Sequence, residues 1–75
     1  MDGISDIHVT LRHIQGRRRV DRVRAWARKN RARARFQSYA PDWYEGLVVV
    51  VARWDEPREE VQARADEVRR VVQIP

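Results

Sequence analysis

Four consecutive valines, Val48–Val51, follow Leu47 and precede Ala52, and this run constrains the fold more than any other feature of the chain. Successive side chains of a strand point to opposite faces, so a stretch that is apolar at every position belongs to a strand covered on both faces. The segment Leu47–Trp54 therefore predicts a central strand, about which the other elements have to be arranged. The same run is the longest apolar stretch in the sequence. It falls far short of the roughly 18 to 20 residues needed to cross a bilayer.

The flanking segments carry their own periods. From Asp6 to Ile14, Ile7, Val9 and Leu11 alternate with His8, Thr10 and Arg12, the period of two that marks a strand with one buried face. Gly16 permits a turn, and from Arg17 to Lys29 the spacing of Val20, Val23 and Ala27, flanked by Trp26, lays an apolar stripe along a helix. Asn30 is the expected left-handed stop. Residues 31–39 alternate Ala32, Ala34, Phe36 and Ser38 with Arg31, Arg33, Arg35, Gln37 and Tyr39. Pattern favours a strand here, whereas alanine and arginine by propensity would carry the helix on to about Phe36. The stretch Ala40–Gly46, with Pro41 and Asp42, reads as a tight hairpin connection. Asp55, Glu56 and Pro57 open the last helix, in which Val61, Ala65, Val68 and Val72 share a face. Glu60 with Arg64 and Asp66 with Arg70 stand at i,i+4 on its exposed side.

The predicted order is β-α-β-β-α, an α+β fold in a single domain spanning residues 1–75. A crossover from the first strand to the second leaves room between them, and the hairpin partner fills it. The sheet then has order 1-3-2 with the valine strand central and both helices on one face, a ferredoxin-like arrangement without its last strand. The first strand lies at an open edge, and an unguarded edge invites a second copy or a partner. The chain has no cysteine, so packing and hydrogen bonds must hold the fold and no thiolate metal site or nucleophile is available. The first fifteen residues lack the pattern of a secretory signal, which makes the cytoplasm the default location.

Charge is the strongest functional signal. The net charge is +5, yet residues 16–36 alone hold nine arginines and one lysine against the single acid Asp21. A field concentrated in this way attracts polyanions. Arginine is nearly the only cation used, and although biased coding explains a preference for Arg over Lys, it does not explain the clustering. The guanidinium fork also grips phosphate and stacks on flat rings where an ammonium cannot. Arg17, Arg18, Arg19, Arg22, Arg24, Arg28, Arg31, Arg33 and Arg35 are the candidate phosphate contacts, and Tyr39, Trp43 and Tyr44 near the hairpin are candidates for stacking on bases.

The expected function is that of a small basic accessory protein that binds DNA or RNA mainly through phosphates, without catalysis, cofactor, metal or membrane partner. The alternative is a protein-binding module (inhibitor, adaptor or assembly subunit) that uses an arginine and aromatic surface against an acidic partner, or a homodimer formed through the edge strand or the sheet face. Arginines in one continuous stripe favour nucleic acid, whereas arginines rimming a patch of exposed valines and tryptophan favour protein. A minor enzymatic reading is a metal-independent nuclease built on His13, Tyr39 and Tyr44. His8 and His13, five residues apart, are expected on opposite sides of a regular strand, and Asp42 and Glu45 are read as turn residues. No RNP-type aromatic signature, GXXG loop, zinc-finger spacing or phosphate-binding P-loop occurs.

Overall fold

The computed structural model describes residues 5–75, so Asp2, part of the N-terminal charge, lies outside the described residues. In chain order the elements are β1 (Ile7–Gln15), α1 (Arg17–Lys29), β2 (Ala32–Ala40), β3 (Trp43–Val50) and α2 (Arg58–Val71). The sheet has order β1-β3-β2 with both outer strands antiparallel to β3. This is the α+β arrangement predicted, with the valine strand in the centre.

Alternation does the sorting within the sheet. Val48 and Val50 are fully buried against the helices, while Val49 turns to the opposite face. Val9, Leu11 and Ile14 come down from β1 to the same core, and Val20, Val23 and Trp26 of α1 meet Val61, Ala65 and Val68 of α2 over it. Helix α1 packs chiefly over β2 and α2 over β1. The two helices are joined where Trp26 Nε1 donates to Glu67 Oε1 at 2.6 Å.

Residues 31–39 form a strand, so pattern prevails over propensity. Pairing from Ala32↔Val50 to Ala40↔Trp43 gives partners to the β3 backbone groups on that side, which a longer first helix would leave unpaired. Helix α1 ends as expected near Asn30, but that residue is not left-handed, its φ being −121°. Its side-chain amide donates to Trp26 O at 2.8 Å and its backbone N–H to Ala27 O, and the left-handed step falls instead on Arg31, with φ 49°.

Several boundaries differ from expectation. Strand β3 begins at Trp43 and ends at Val50, not Leu47 to Trp54, and the connection contracts to Pro41 and Asp42. Asp42 adopts φ 64° and its carbonyl accepts a hydrogen bond from Gly16 N at 2.9 Å, which ties the hairpin to the start of α1. Gly46 thus lies inside β3, where an added Cβ would come within 2.5 Å of the Phe36 ring. Trp54, expected at the end of the central strand, is 88% exposed because the chain has left the sheet before reaching it.

Glu56 does not cap α2, whose first residue follows Pro57 without a side-chain cap. It is only 7% exposed and is gripped by Arg64, which also donates to Val51 O at 2.6 Å. The Arg64 guanidinium holds the Glu56 carboxyl below its ordinary pKa, against the opposing effect of burial, with help from the Arg53 backbone N–H. The expected Glu60–Arg64 and Asp66–Arg70 pairs are replaced accordingly: Arg64 turns inward, and Asp66 instead meets Arg69 at 3.0 Å and Gln62 at 3.1 Å. Among the described residues no helix is long and apolar enough to cross a membrane.

Candidate nucleic-acid interface

A helix advances 100° per residue, so positions i, i+7 and i+11 fall within about 40° of one line. In α1 these are Arg17, Arg24 and Arg28, and the line lies beside β2. Arg24 sets its guanidinium over the Phe36 ring of β2, 5.3 Å from the centroid. Arg28 borders the same cleft as Arg31 and Arg33, above Ala27, Ala32 and Val51. Arg33 and Arg35 continue along the opposite face of the sheet, where they flank Leu47 and Val49. The free edge of β2 therefore runs between two rows of arginine, one from the helix and one from the strand.

The remaining candidate arginines point elsewhere. Arg22 donates to the carbonyls of Ile74 and Pro75, and Arg19 lines a cleft with Arg69 between β1 and the end of α2. Arg18 is exposed on the side of α1 away from the sheet. The first turn of α1 holds no acid and three arginines, an arrangement the helix dipole opposes. Asp21 offsets part of this, with Arg17 at 3.3 Å and Arg24 at 3.8 Å. Both pairs are well exposed and contribute at most about 1 kcal/mol each.

The aromatic candidates divide as well. Tyr39 is 52% exposed on the outer face, whereas Tyr44 packs against the hydrophobic core and Trp43 is half-buried at the hairpin. Tyr39 Oη lies 3.4 Å from His13 Nδ1. Their meeting comes from an irregularity in each outer strand. In β1, Leu11 pairs with Gly46 and Ile14 with Tyr44, so Arg12 and His13 together oppose Glu45. In β2, Ser38 pairs with Tyr44 and Ala40 with Trp43, which leaves Tyr39 as the extra residue. Bulges of this kind re-aim side chains, and the one in β1 gives His13 a φ of 57°.

The expected separation of His8 and His13 thus fails, because the bulge turns His13 into an outer-face cleft with Arg12, Gln37, Tyr39 and Glu45. Glu45 is correspondingly a strand residue, 4.0 Å from Arg12, and not part of the turn with Asp42. Arg12, Gln37 and Glu45 were absent from the sequence-derived site. The out-of-phase Ile14 was the one sign that β1 breaks register before them. Among the described residues no group of His, Asp and Glu is placed to hold a metal ion. No protein-family model, curated protein or solved structure matches the chain.

Proposed function

We propose that the chain binds nucleic acid mainly through phosphate contacts along the β2 edge, as an accessory protein that performs no reaction on it. The observation that carries this reading is the continuity of Arg24 and Arg28 with Arg31, Arg33 and Arg35 around one strand edge, with Arg17 on the same line of the helix by its spacing. Helical rise spreads the first three over about 17 Å, and alternate residues of the strand stand about 6.7 Å apart. Such spacing lets several phosphates of one backbone be met at once, with counterions released at each.

The test is binding of labelled single-stranded and duplex DNA and RNA across a salt series. Full engagement of six arginines predicts a slope of log affinity against log salt near −5 for duplex and near −4 for single strands. Affinity that stays level across the series overturns the reading. A second reading has its own observation: Leu47, 37% exposed beside Val49, forms an apolar strip flanked by Arg33 and Arg35. A protein partner or second copy seated on that strip would bind with weak salt dependence and bury apolar area.

A further inference from the structure

The outer face of β2 presents Arg33, Arg35, Gln37 and Tyr39 in succession, so the cationic row leads into the cleft where the two bulges meet. That cleft measures about 220 Å³, smaller than the usual site for a whole cofactor and suited to a single flat base. We propose that it is a guanine-reading pocket for a single-stranded segment whose phosphates lie on the β2 edge, an inference that rests on the phosphate-binding function above.

The donor and acceptor pattern selects the base. Glu45, as a carboxylate, offers two acceptor oxygens side by side, and Arg12 offers donors next to it, with Nε 4.0 Å from Glu45 Oε2. The Watson–Crick edge of guanine carries the complementary sequence, the O6 acceptor followed by the N1–H and N2–H donors. Arg12 meets O6 and the carboxylate receives the two N–H groups. Adenine, cytosine and uracil each have no two adjacent donors on that edge, so each sets a lone pair against the carboxylate. In a duplex the edge is already paired, which restricts the pocket to single strands.

The surrounding side chains complete the arrangement. Tyr39 and His13 bring flat rings to the cleft for stacking, and the Gln37 amide is an adaptable donor or acceptor at its wall. The left-handed backbone at His13 is unusual for a residue with a side chain, and it is what turns the imidazole toward Tyr39.

The experiment compares three labelled eight-nucleotide RNAs at low salt: all uridine, the same with one central guanosine, and the same with inosine there, which lacks the N2 amine. The expected result is guanosine RNA bound about tenfold tighter than all-uridine RNA, with inosine giving up most of that gain. Glu45→Gln reduces the guanosine-to-uridine ratio to about one, and Tyr39→Ala, at a half-exposed position that keeps the fold, lowers it as well. Equal, salt-sensitive binding of all three RNAs overturns the pocket and leaves the phosphate function standing. Retention of the guanosine preference in Glu45→Gln overturns the assignment of the carboxylate. No binding of any of these RNAs at low salt overturns the pocket, and the phosphate function is then decided by the duplex and DNA titrations described above.

Discussion

The half of the molecule formed by α1 and β2 and the half formed by β1 and α2 share one sheet but stabilise it differently. The β1–α2 half packs Val61, Ala65 and Val68 on Val9 and Leu11, and it buries the ion pair of Glu56 with Arg64 under the end of β3. The α1–β2 half buries Val20, Val23, Trp26 and Ala27 of its helix, but its strand contributes only Ala32, Ala34 and Phe36, all partly buried, with Arg24 over the Phe36 ring. Small residues leave the strand shallow, and the arginines placed around it repel one another. Charge that costs stability in the free protein is what a polyanion would neutralise, so the half with the shallower strand and the crowded arginines is the half suited to a partner. The same arginines also protect the β2 edge from pairing with other strands, whereas β1 has less charge along its edge.

The largest effect is expected from reversing charge in the arginine rows. Arg28→Glu, Arg33→Glu and Arg35→Glu together should weaken nucleic-acid binding roughly a hundredfold at low salt and flatten the salt slope by about three. Arg58→Glu, on the exposed start of α2, changes net charge in the other half and should have a small effect by comparison. Anisotropy titrations of both variants decide it. If the two weaken binding equally per charge, the interface is diffuse net charge and the distinction between the halves collapses.

Next comes the junction of the halves at Gly46. A Cβ there would come within 2.5 Å of Phe36, so Gly46→Ala should lower stability by about 1–3 kcal/mol in denaturant unfolding. Combining it with Phe36→Leu should recover part of the loss, since the smaller side chain relieves the clash. An additive double mutant would mean that the strand adjusts without the ring moving.

These contacts also mark how far the sequence could be read. The central valines and the first helix were legible because a single period governs each, whereas residues 31–39 had the period of a strand but the composition of a helix, and only pairing with β3 decides between them. The bulges were not, because an extra residue in one strand is defined only by its register against another. Leu11 and Ile14 both point inward, and that is intelligible once Arg12 and His13 are seen to share Glu45 as their partner. The arginine cluster was visible in sequence, and helical spacing already separates Arg17, Arg24 and Arg28 from Arg19 and Arg22. Which flank would face β2 depended on packing. The role of Glu56 was not legible beside Asp55 and Pro57 because its partner, Arg64, lies eight residues away in α2 and turns inward only in the packed fold.

The β1–α2 half should respond to acid through that pair. The hydrogen bond from Arg64 depresses the Glu56 pKa in the folded state, so the stability it brings is present in full above the ordinary carboxylate value of 4.5. It is lost as pH falls through the lowered folded value, where the native carboxylate finally protonates. Glu56→Gln should therefore flatten the decline of the unfolding midpoint below about pH 4.5. A variant with the wild-type acid profile would assign the decline to other carboxylates.

The smallest effect is expected where the basic half touches its own aromatic ring. Arg24 lies 5.3 Å from the Phe36 centroid and 3.8 Å from Asp21, at a partly solvated position. Arg24→Met keeps an apolar stem over the ring but removes the charge, and should cost about 0.5–1 kcal/mol of stability if the cation–π contact dominates. Relief of repulsion from Arg17 and Arg28 acts in the opposite sense, and salt separates the two. A destabilisation that persists at high salt belongs to the ring contact, since screening removes the longer-range repulsion. A variant that is more stable than wild type at low salt would mean that repulsion outweighs the ring, and that Arg24 is held on this flank at a net cost to the free fold.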